Sequence, residues 1–348
     1  MKKLFPVIVV VLLVVLGAAV YLYSERLLHP ETAPVAAAPS GGTPAGDAVP
    51  TATNDGAHKV SLFWRDASTG SNEVWRFGAE PAPERFPAQK FDAGWRARVF
   101  APGGWDGDDL VVWRNDTVGQ LRLWRLARDG KLVASEVLPY SGEEWRIVAA
   151  ADMDGDGDAD LAWVGPNGSV AVWTLQDGKP VDKQTVGTAR AGWQLIQSGD
   201  FDGDRIAELL WRDPATGRMV LWVMNGTAKA TERGLPGVPT EWTLIGAAQL
   251  DGKDGDDLLW RNTSGRLAIW HGLAATGAVL IHRSEVADWA FAGLADFNGD
   301  GRADLIWRHR DNGSLGAWSI DDEGKVQDLK LPVSPAGAEL VSTGFVAP

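Results

Sequence analysis

The sequence Leu-Leu-Trp-Arg occurs at residues 209–212 and again at 258–261, and near copies of it recur along most of the chain. The copies are Ser-Leu-Phe-Trp-Arg at 61–65, Leu-Val-Val-Trp-Arg at 110–114, Leu-Ala-Trp-Val at 161–164 and Leu-Ile-Trp-Arg at 305–308. Their tryptophans are spaced by 49, 50, 48, 49 and 47 residues and are Trp64, Trp113, Trp163, Trp211, Trp260 and Trp307. Such near-constant spacing indicates six repeats of one structural unit.

Two further tryptophans accompany the first one in almost every repeat. The second tryptophan follows the first by 10 or 11 residues and is Trp75, Trp124, Trp173, Trp222, Trp270 or Trp318. A third precedes the first by 18 residues in five repeats and is Trp95, Trp145, Trp193, Trp242 or Trp289. Of the 18 tryptophans, only Trp105 falls outside this scheme. Since one indole ring buries on the order of 200 Å², we expect the set to pack between sheets, with a ligand-stacking platform as the alternative.

Each repeat contains short apolar stretches of strand length and no helical periodicity. Hairpin-type turns separate them, at Asn167-Gly168, Thr216-Gly217, Ser264-Gly265 and Asn312-Gly313. Four strands for each repeat predict an all-β, six-bladed β-propeller over residues 59–348. The first repeat begins at its second strand, and residues 338–345 resemble a first strand. We therefore expect the C-terminal strand to close the first blade.

The N-terminal segment differs in composition from the repeats. Two lysines precede an apolar run from Leu4 to Tyr23, which is long enough to span a bilayer as a helix. The pattern predicts a transmembrane signal-anchor at 1–23, with its N-terminus in the cytoplasm, in a bacterial-type inner membrane. A cleaved secretory signal, which would give a secreted protein, is the alternative. Residues 24–58 form an Ala/Pro/Gly-rich linker, and the propeller is expected in the periplasm or outside the cell.

Acidic loops precede the first tryptophan in repeats three, four and six. Counted from the first aspartate, oxygen-bearing side chains occupy positions 1, 3, 5 and 9, and position 7 offers a backbone carbonyl. This is the ligand order of an EF-hand loop without its twelfth-position Glu and its helices. The predicted metal ligands are Asp152, Asp154, Asp156, Asp158 and Asp160, then Asp200, Asp202, Asp204, Ile206 and Glu208, then Asp296, Asn298, Asp300, Arg302 and Asp304. Hard oxygen ligands in a flexible loop favour Ca²⁺, and we expect three ions, or two.

The number of ions depends on loops that depart from this pattern. In repeat four, Arg205 replaces the glycine of the sharp turn. Repeat five has Lys253 at position 5, where the ammonium could substitute for the metal, and repeat two is shortened to Trp105–Asp109. An arginine also follows the first tryptophan in five repeats. These arginines could form an anion-binding ring, or each could be a structural partner of a carboxylate or an aromatic ring. We favour the structural interpretation.

The acidic segments carry a family resemblance. Residues 296–308 and 152–163 resemble the FG-GAP/VCBS repeats of bacterial surface and secreted proteins, integrin α-subunit propellers and some fungal lectins. The resemblance covers about residues 59–348, although the Phe-Gly/Gly-Ala-Pro part is barely present, at 100–104. It implies a propeller that holds Ca²⁺ in its blade loops and serves mainly in binding. It does not identify what is bound.

Composition limits the function further. The chain of 348 residues has 33 Lys and Arg against 46 Asp and Glu, a formal charge of −13, which argues against nucleic-acid binding. It has no cysteine, which excludes disulfides, thiolate metal sites and cysteine nucleophiles, and no two of its five histidines lie at metal-ligand spacing. No phosphate loop or nucleophile elbow is present.

The leading hypothesis is therefore a non-catalytic module at the cell envelope that binds a protein or glycan partner. One alternative is a glycoside hydrolase or lyase with paired carboxylates in the propeller channel. Its candidate residues are Glu73, Glu143, Glu144, Glu241 and Glu285. The other alternative is a lectin, which would need exposed Trp or Tyr in repeated shallow pockets.

Overall fold

The described part of the chain forms six four-stranded antiparallel sheets arranged as a six-bladed β-propeller. The computed structural model describes residues 60–341 except 78–81, 93, 106, 116, 139–143, 274–277, 284–287 and 336–337. The predicted membrane segment 1–23 and linker 24–58 lie outside the described residues.

The sheets follow one another along the chain. Blade 1 consists of β24 (Glu339–Leu340), β1 (Val60–Asp66), β2 (Ser71–Phe77) and β3 (Glu84–Ala88). Blade 2 consists of β4 (Trp95–Trp105), β5 (Asp108–Asn115), β6 (Leu121–Leu126) and β7 (Leu132–Leu138). Blade 3 consists of β8 (Arg146–Ala151), β9 (Asp160–Val164), β10 (Ser169–Gln176) and β11 (Lys179–Thr188), with a short 3₁₀ turn at Pro166–Gly168.

The second half of the chain repeats this arrangement. Blade 4 consists of β12 (Gln194–Gly199), β13 (Glu208–Arg212), β14 (Met219–Asn225) and β15 (Ala228–Leu235). Blade 5 consists of β16 (Trp242–Ala248), β17 (Asp257–Asn262), β18 (Leu267–Trp270) and β19 (Val279–Leu280). Blade 6 consists of β20 (Trp289–Ala295), β21 (Asp304–His309), β22 (Ser314–Ile320) and β23 (Val326–Val333).

The C-terminal strand closes the ring, as predicted from the sequence. β24 pairs with β1 in antiparallel register, with Leu340 opposite Trp64 and Glu339 opposite Arg65. The Val341 amide also donates to the Phe63 carbonyl over 3.0 Å. The first blade is therefore built from both ends of the propeller sequence, which leaves no blade incomplete.

The tryptophans form the core, which confirms their predicted packing role. The first and second tryptophans of each blade pack as a tilted pair, with ring centroids 4.5 to 5.5 Å apart. Fifteen of the 18 are buried, the exceptions being Trp145, Trp173 and Trp193. The apolar clusters that contain them join neighbouring blades. Burial of aromatic surface between blades thus stabilises the ring.

The arginine after the first tryptophan links one blade to the next. Arg212 donates to the carbonyls of Trp242, Val238 and Pro239 over 2.6 to 3.0 Å. Its guanidinium also lies 5.4 Å from the Trp260 ring. Arg65 makes the same kind of contact, with the carbonyls of 91, 92 and 95 and with the Trp113 ring. For these two arginines the structure shows the aromatic-ring partner, together with backbone carbonyls in place of a carboxylate.

Replacing Arg212 with Met is expected to lower the free energy of unfolding by about 2–3 kcal/mol, because buried carbonyls lose a charged donor. Urea denaturation measures this loss. The matched control is Arg218→Met, at an exposed position near the same turn, which should change stability by less than about 0.5 kcal/mol. Equal losses in the two variants would contradict a linking role for Arg212.

Candidate metal centres

The acidic loops lie side by side on one face of the propeller, because each connects the first and second strands of its blade. Backbone hydrogen bonds link them in sequence. The Ala207 amide donates to the Asp152 carbonyl over 2.7 Å, Asp256 to Asp200 over 2.6 Å, and Ala303 to the Gln249 carbonyl over 2.7 Å. The loops of blades 3 to 6 therefore form a continuous acidic arc, in which the position of each loop depends on its neighbour.

In blade 3, the carboxylates of positions 1, 3 and 9 converge. Oxygen atoms of Asp152, Asp154 and Asp160 lie within 4.8 Å of one another. Asp160 is fully buried and is held by the amides of Met153 at 2.9 Å and Leu175 at 3.0 Å. Asp152 accepts from the amides of residues 155 and 157. Both are glycines with φ of 84° and 94°, a conformation that the tight turn requires.

Blade 4 contains the same cluster, formed by Asp200, Asp202 and Glu208. Arg205 adopts φ of 71° and donates its amide to Asp200 over 2.9 Å, so that the turn forms despite the missing glycine. Glu208 is fully buried and accepts from the Phe201 amide with Oε2. Its Oε1 finds no hydrogen-bond donor among the residues that the structure describes. Burying a carboxylate oxygen without a hydrogen-bond donor lowers the free energy of unfolding, and a bound cation would offset this loss.

The blade 6 loop has the same backbone geometry. Asp296 accepts from the amides of Gly299 and Gly301 over 2.5 and 3.0 Å, and Asp304 accepts from the Phe297 amide over 2.9 Å. Asn298 stands at position 3 and donates to Asp300 over 3.0 Å. The set of carboxylate and amide oxygens is one that Ca²⁺ accepts. The donor sets of blades 3 and 4 converge and fit a hard divalent cation, and blade 6 has oxygen-bearing side chains at the same loop positions.

The predicted ligands at positions 5 and 7 form hydrogen bonds within the turn of each loop. The position 5 carboxylates of Asp156, Asp204 and Asp300 each accept from the amide two residues later, over 2.8 to 2.9 Å. Those amides belong to Asp158, Ile206 and Arg302, whose carbonyls were the predicted position 7 ligands. The convergent carboxylates of blades 3 and 4 are thus those of positions 1, 3 and 9, and position 5 stabilises the turn.

Burial raises the pKa of the position 9 acids. The pKa is raised to about 8 for Asp160 and Glu208 and to about 7 for Asp304, first by desolvation and then by the neighbouring carboxylates. In the loop of blade 5, Asp256 packs against Gly199 and faces Asp200, and burial raises its pKa to about 7. Without a cation, these clusters favour protonation near neutral pH.

The metal-free protein is therefore expected to lose stability as the pH rises from 5 to 8. Because the folded-state pKa values of Asp160 and Glu208 lie above the ordinary values of 3.8 and 4.5, the folded state holds more protons than the unfolded state in this range. The free energy of unfolding then falls with pH. Thermal melts in EDTA measure this slope, and calcium-loaded samples serve as the comparison. A melting temperature that rises with pH in EDTA would refute the prediction.

In blades 2 and 5, cationic side chains of the protein contact the acidic loops. Arg76 pairs with Asp109 over 2.7 Å, with both side chains buried, and Arg125 pairs with Asp108 over 2.7 Å. In blade 5, the Lys253 ammonium contacts Asp251, as the sequence predicted. His271 Nδ1 lies 3.4 Å from Asp257 and 3.6 Å from Asp251, and the hydrogen bond to Asp257 raises its pKa. Asp251, Asp257 and His271 place ligand atoms within 4.8 Å of one another, and the Lys253 ammonium on Asp251 already supplies positive charge to this loop.

The acids of the enzyme alternative are distributed over the ring. Glu73 lies on β2, Glu144 precedes β8 and Glu241 precedes β16. Glu143 and Glu285 lie outside the described residues. No two of the three described glutamates share a blade.

The half-buried tryptophans do not form a repeated set of platforms. Trp173 lies under the Lys183 ammonium at 4.1 Å, and Trp193 lies under the Arg190 guanidinium at 4.9 Å. The counterparts of Trp193 and Trp145 in blades 2, 5 and 6 are buried. The lectin alternative requires equivalent exposed rings in many blades, and the described residues provide them in blades 3 and 4 alone.

Part of the sequence matches a known repeat family. Residues 105–163 and 152–211 match the family model of the FG-GAP-like repeat. The suspected family resemblance is thus confirmed for blades 2 to 4, and residues 105–211 carry FG-GAP-like repeats. No curated relative matches the sequence.

Solved propeller structures resemble the chain only distantly. The periplasmic gluconolactonase PpgL of Pseudomonas aeruginosa is 14% identical, over 87% of this chain and 89% of that chain, with a TM-score of 0.45. A triple variant of AofleA from Arthrobotrys oligospora is 14% identical, over 82% and 90%, with a TM-score of 0.47. The SapL1 lectin in complex with alpha methyl fucoside is 10% identical, over 84% and 98%, with a TM-score of 0.45. At this distance the similarities carry no statement about function.

Proposed function

We propose, from the FG-GAP-like repeats at residues 105–211 and the acidic arc, that this chain is a calcium-stabilised propeller that binds a protein or glycan partner without catalysis. The observation that carries the calcium part is the convergence of three acids in each of blades 3 and 4, with one buried oxygen of Glu208 unpartnered. Blade 6 contributes a third loop of the same geometry. The proposed number of ions is three.

Each ion would be held by the loop of a single blade. The side chains of positions 1, 3 and 9 would supply oxygen ligands, and position 7 would supply a carbonyl. The residues are Asp152, Asp154, Asp158 and Asp160, Asp200, Asp202, Ile206 and Glu208, and Asp296, Asn298, Arg302 and Asp304. Bound Ca²⁺ supplies positive charge that offsets repulsion between the carboxylates. Because the loops are joined by backbone hydrogen bonds, each ion would also fix the contact between neighbouring blades.

Asp154→Ala is expected to remove one of three calcium ions, because it deletes the position 3 carboxylate of blade 3. The matched control is Asp158→Ala in the same loop, where only the backbone carbonyl is a proposed ligand. We expect Asp158→Ala to retain all three ions. Calcium content after gel filtration, measured by elemental analysis, and calorimetric titration give the stoichiometry. Loss of an ion in the control as well, or three ions in both variants, would contradict the assignment.

The cellular location is part of the proposal. No helix within the described residues is long and apolar enough to cross a bilayer. The apolar run at 4–23 lies outside them, and we propose that it anchors the chain in a bacterial-type inner membrane with the propeller in the periplasm or outside the cell. The linker at 24–58 would then separate the propeller from the membrane surface.

A binding role without catalysis is favoured by the FG-GAP-like repeats at residues 105–211. Its test is affinity capture from envelope extract with the full chain in detergent, with Ca²⁺ and with EDTA. A protein or glycan that is retained only with Ca²⁺ is the expected result. Turnover of a polysaccharide substrate by the purified chain, abolished by substitution of a channel carboxylate, would overturn the proposal in favour of an enzyme.

A further inference from the structure

In every blade, the third-strand residue after the second tryptophan stands opposite the second-strand residue three places before the first tryptophan, which is position 9 in blades 3 to 6. In blades 1 and 2, the register pairs Arg76 with Ser61 and Arg125 with Leu110. In the other blades, the second tryptophan pairs with the residue after position 9, as Trp173 does with Leu161. The residue that follows the second tryptophan therefore lies across from position 9. These pairs are Thr174 and Asp160, Val223 and Glu208, His271 and Asp257, and Ser319 and Asp304.

The chemical character of this third-strand residue divides the blades into two groups. It is neutral in blades 3, 4 and 6, where it is Thr174, Val223 or Ser319. It carries a basic side chain in blades 1, 2 and 5, where it is Arg76, Arg125 or His271. The division coincides with the loops: the three blades with a neutral residue are the three whose loops have the complete ligand pattern.

The basic residues contact carboxylates of the acidic loops. Arg76 reaches from blade 1 to Asp109 of blade 2, and its Nη1 also donates to Ser61 over 2.6 Å. Arg125 donates to Asp108 from within blade 2. His271 lies between Asp257 and Asp251, where Lys253 adds a second positive group. In blades 2 and 5, the aspartates thus have protein cations as partners.

The neutral third-strand residues supply no positive charge to the position 9 acids of their own blades. In blade 4, Val223 has no polar group to offer Glu208, whose Oε1 is buried and unpartnered among the described residues. In blade 6, the Ser319 hydroxyl accepts from Asn298 over 3.1 Å and also lies within hydrogen-bonding reach of Asp304. A hydroxyl or a methyl group carries no positive charge, so in these blades a cation from solution can take the place that a protein cation has in blades 2 and 5.

We propose that, in blades 2 to 6, the residue after the second tryptophan decides whether the acidic loop is neutralised by the protein or by calcium. A basic side chain at this place and a divalent ion in the loop would repel each other, so each of these five loops has one or the other. The loops that bind an ion are then those whose third-strand residue is neutral, which are the loops beside Thr174, Val223 and Ser319. This inference rests on the proposed calcium binding and adds the residues that determine which blades bind.

The decisive experiment exchanges the two types of residue. Ser319→Arg should reduce the calcium content from three ions to two, while the melting temperature in EDTA stays equal to or rises above that of the wild type. Ser319→Gln is the matched control for size without charge and should retain three ions. Loss of an ion in Ser319→Gln, or three ions in Ser319→Arg, would overturn the inference.

The reverse exchange keeps the inference testable if Ser319→Arg does not fold. The double variant Lys253→Asp and His271→Ser removes both basic side chains from the blade 5 loop. It leaves Gln249, Asp251 and Asp257 at positions 1, 3 and 9, with a neutral third-strand residue. It should bind one ion more than the wild type, four instead of three. A stoichiometry of three would overturn the inference. A wild-type protein without any bound calcium would instead refute the proposed function, so the two failures are distinguishable by elemental analysis.

Discussion

Removal of calcium by EDTA is expected to lower the melting temperature by about 15–30 °C. A site saturated at 100 times its Kd contributes about 2.7 kcal/mol, so three sites contribute about 8 kcal/mol. In a domain of this size, each kcal/mol corresponds to about 2–4 °C. The effect is large because the ions would neutralise buried acids such as Asp160 and Glu208. Differential scanning calorimetry at pH 7.5 measures it.

The chelation experiment needs two controls. EDTA already saturated with calcium should leave the melting temperature unchanged, and excess calcium added after EDTA should restore it. Magnesium at the same concentration should restore less, because it demands a stricter octahedral geometry. A melting curve that is the same with and without EDTA would show that the loops bind no ion that matters for stability.

Arg76→Met is expected to lower the free energy of unfolding by about 3–5 kcal/mol. The substitution removes the guanidinium that pairs with the buried Asp109 and keeps the carboxylate, which is the costly way to break a buried ion pair. Arg76 also donates to the carbonyls of Arg128 and Ala127, at 2.5 and 3.3 Å, so that two acceptors lose a donor. Equilibrium unfolding in guanidinium chloride gives the loss.

A double-mutant cycle separates the charge from the packing. Asp109→Asn removes the negative charge with little change in shape, and the double variant with Arg76→Met should recover at least about 2 kcal/mol of the single loss. Additive losses in the cycle would mean that Arg76 acts through its carbonyl contacts alone. A loss of less than about 1 kcal/mol in Arg76→Met would rule out the buried pair as a major interaction between blades 1 and 2.

The fold was predictable because its main signal is local and repeated. Large rings at near-constant intervals fix the number of blades, and the missing upstream segment of the first repeat predicts the closing role of 338–345. The acidic loops were predictable for the same reason, since positions 1 to 9 lie within one turn. Arg205 shows the limit of that reasoning. The residue adopts φ of 71°, a conformation that the sequence pattern allows but does not predict.

The internal cations were harder to predict because they act between segments that are distant in sequence. Arg76 and Asp109 are 33 residues apart and belong to different blades. His271 follows Asp257 by 14 residues, and its proximity depends on the register of β17 and β18. Spacing rules for metal ligands consider one loop or helix at a time. The relation between these cations and the acidic loops is seen only when the strand pairing of all six blades is known.

The closing strand has a consequence for biosynthesis. Blade 1 obtains its first strand, Glu339–Leu340, from the far end of the propeller sequence. The ribosome must therefore release nearly the whole polypeptide before this sheet is complete. Until then, the β1 edge is open to strands of other molecules, a state prone to aggregation. Until residues 339–340 are available, the nascent chain must be kept from aggregating through the β1 edge. A chain that ends near residue 338 would lack the strand that completes blade 1.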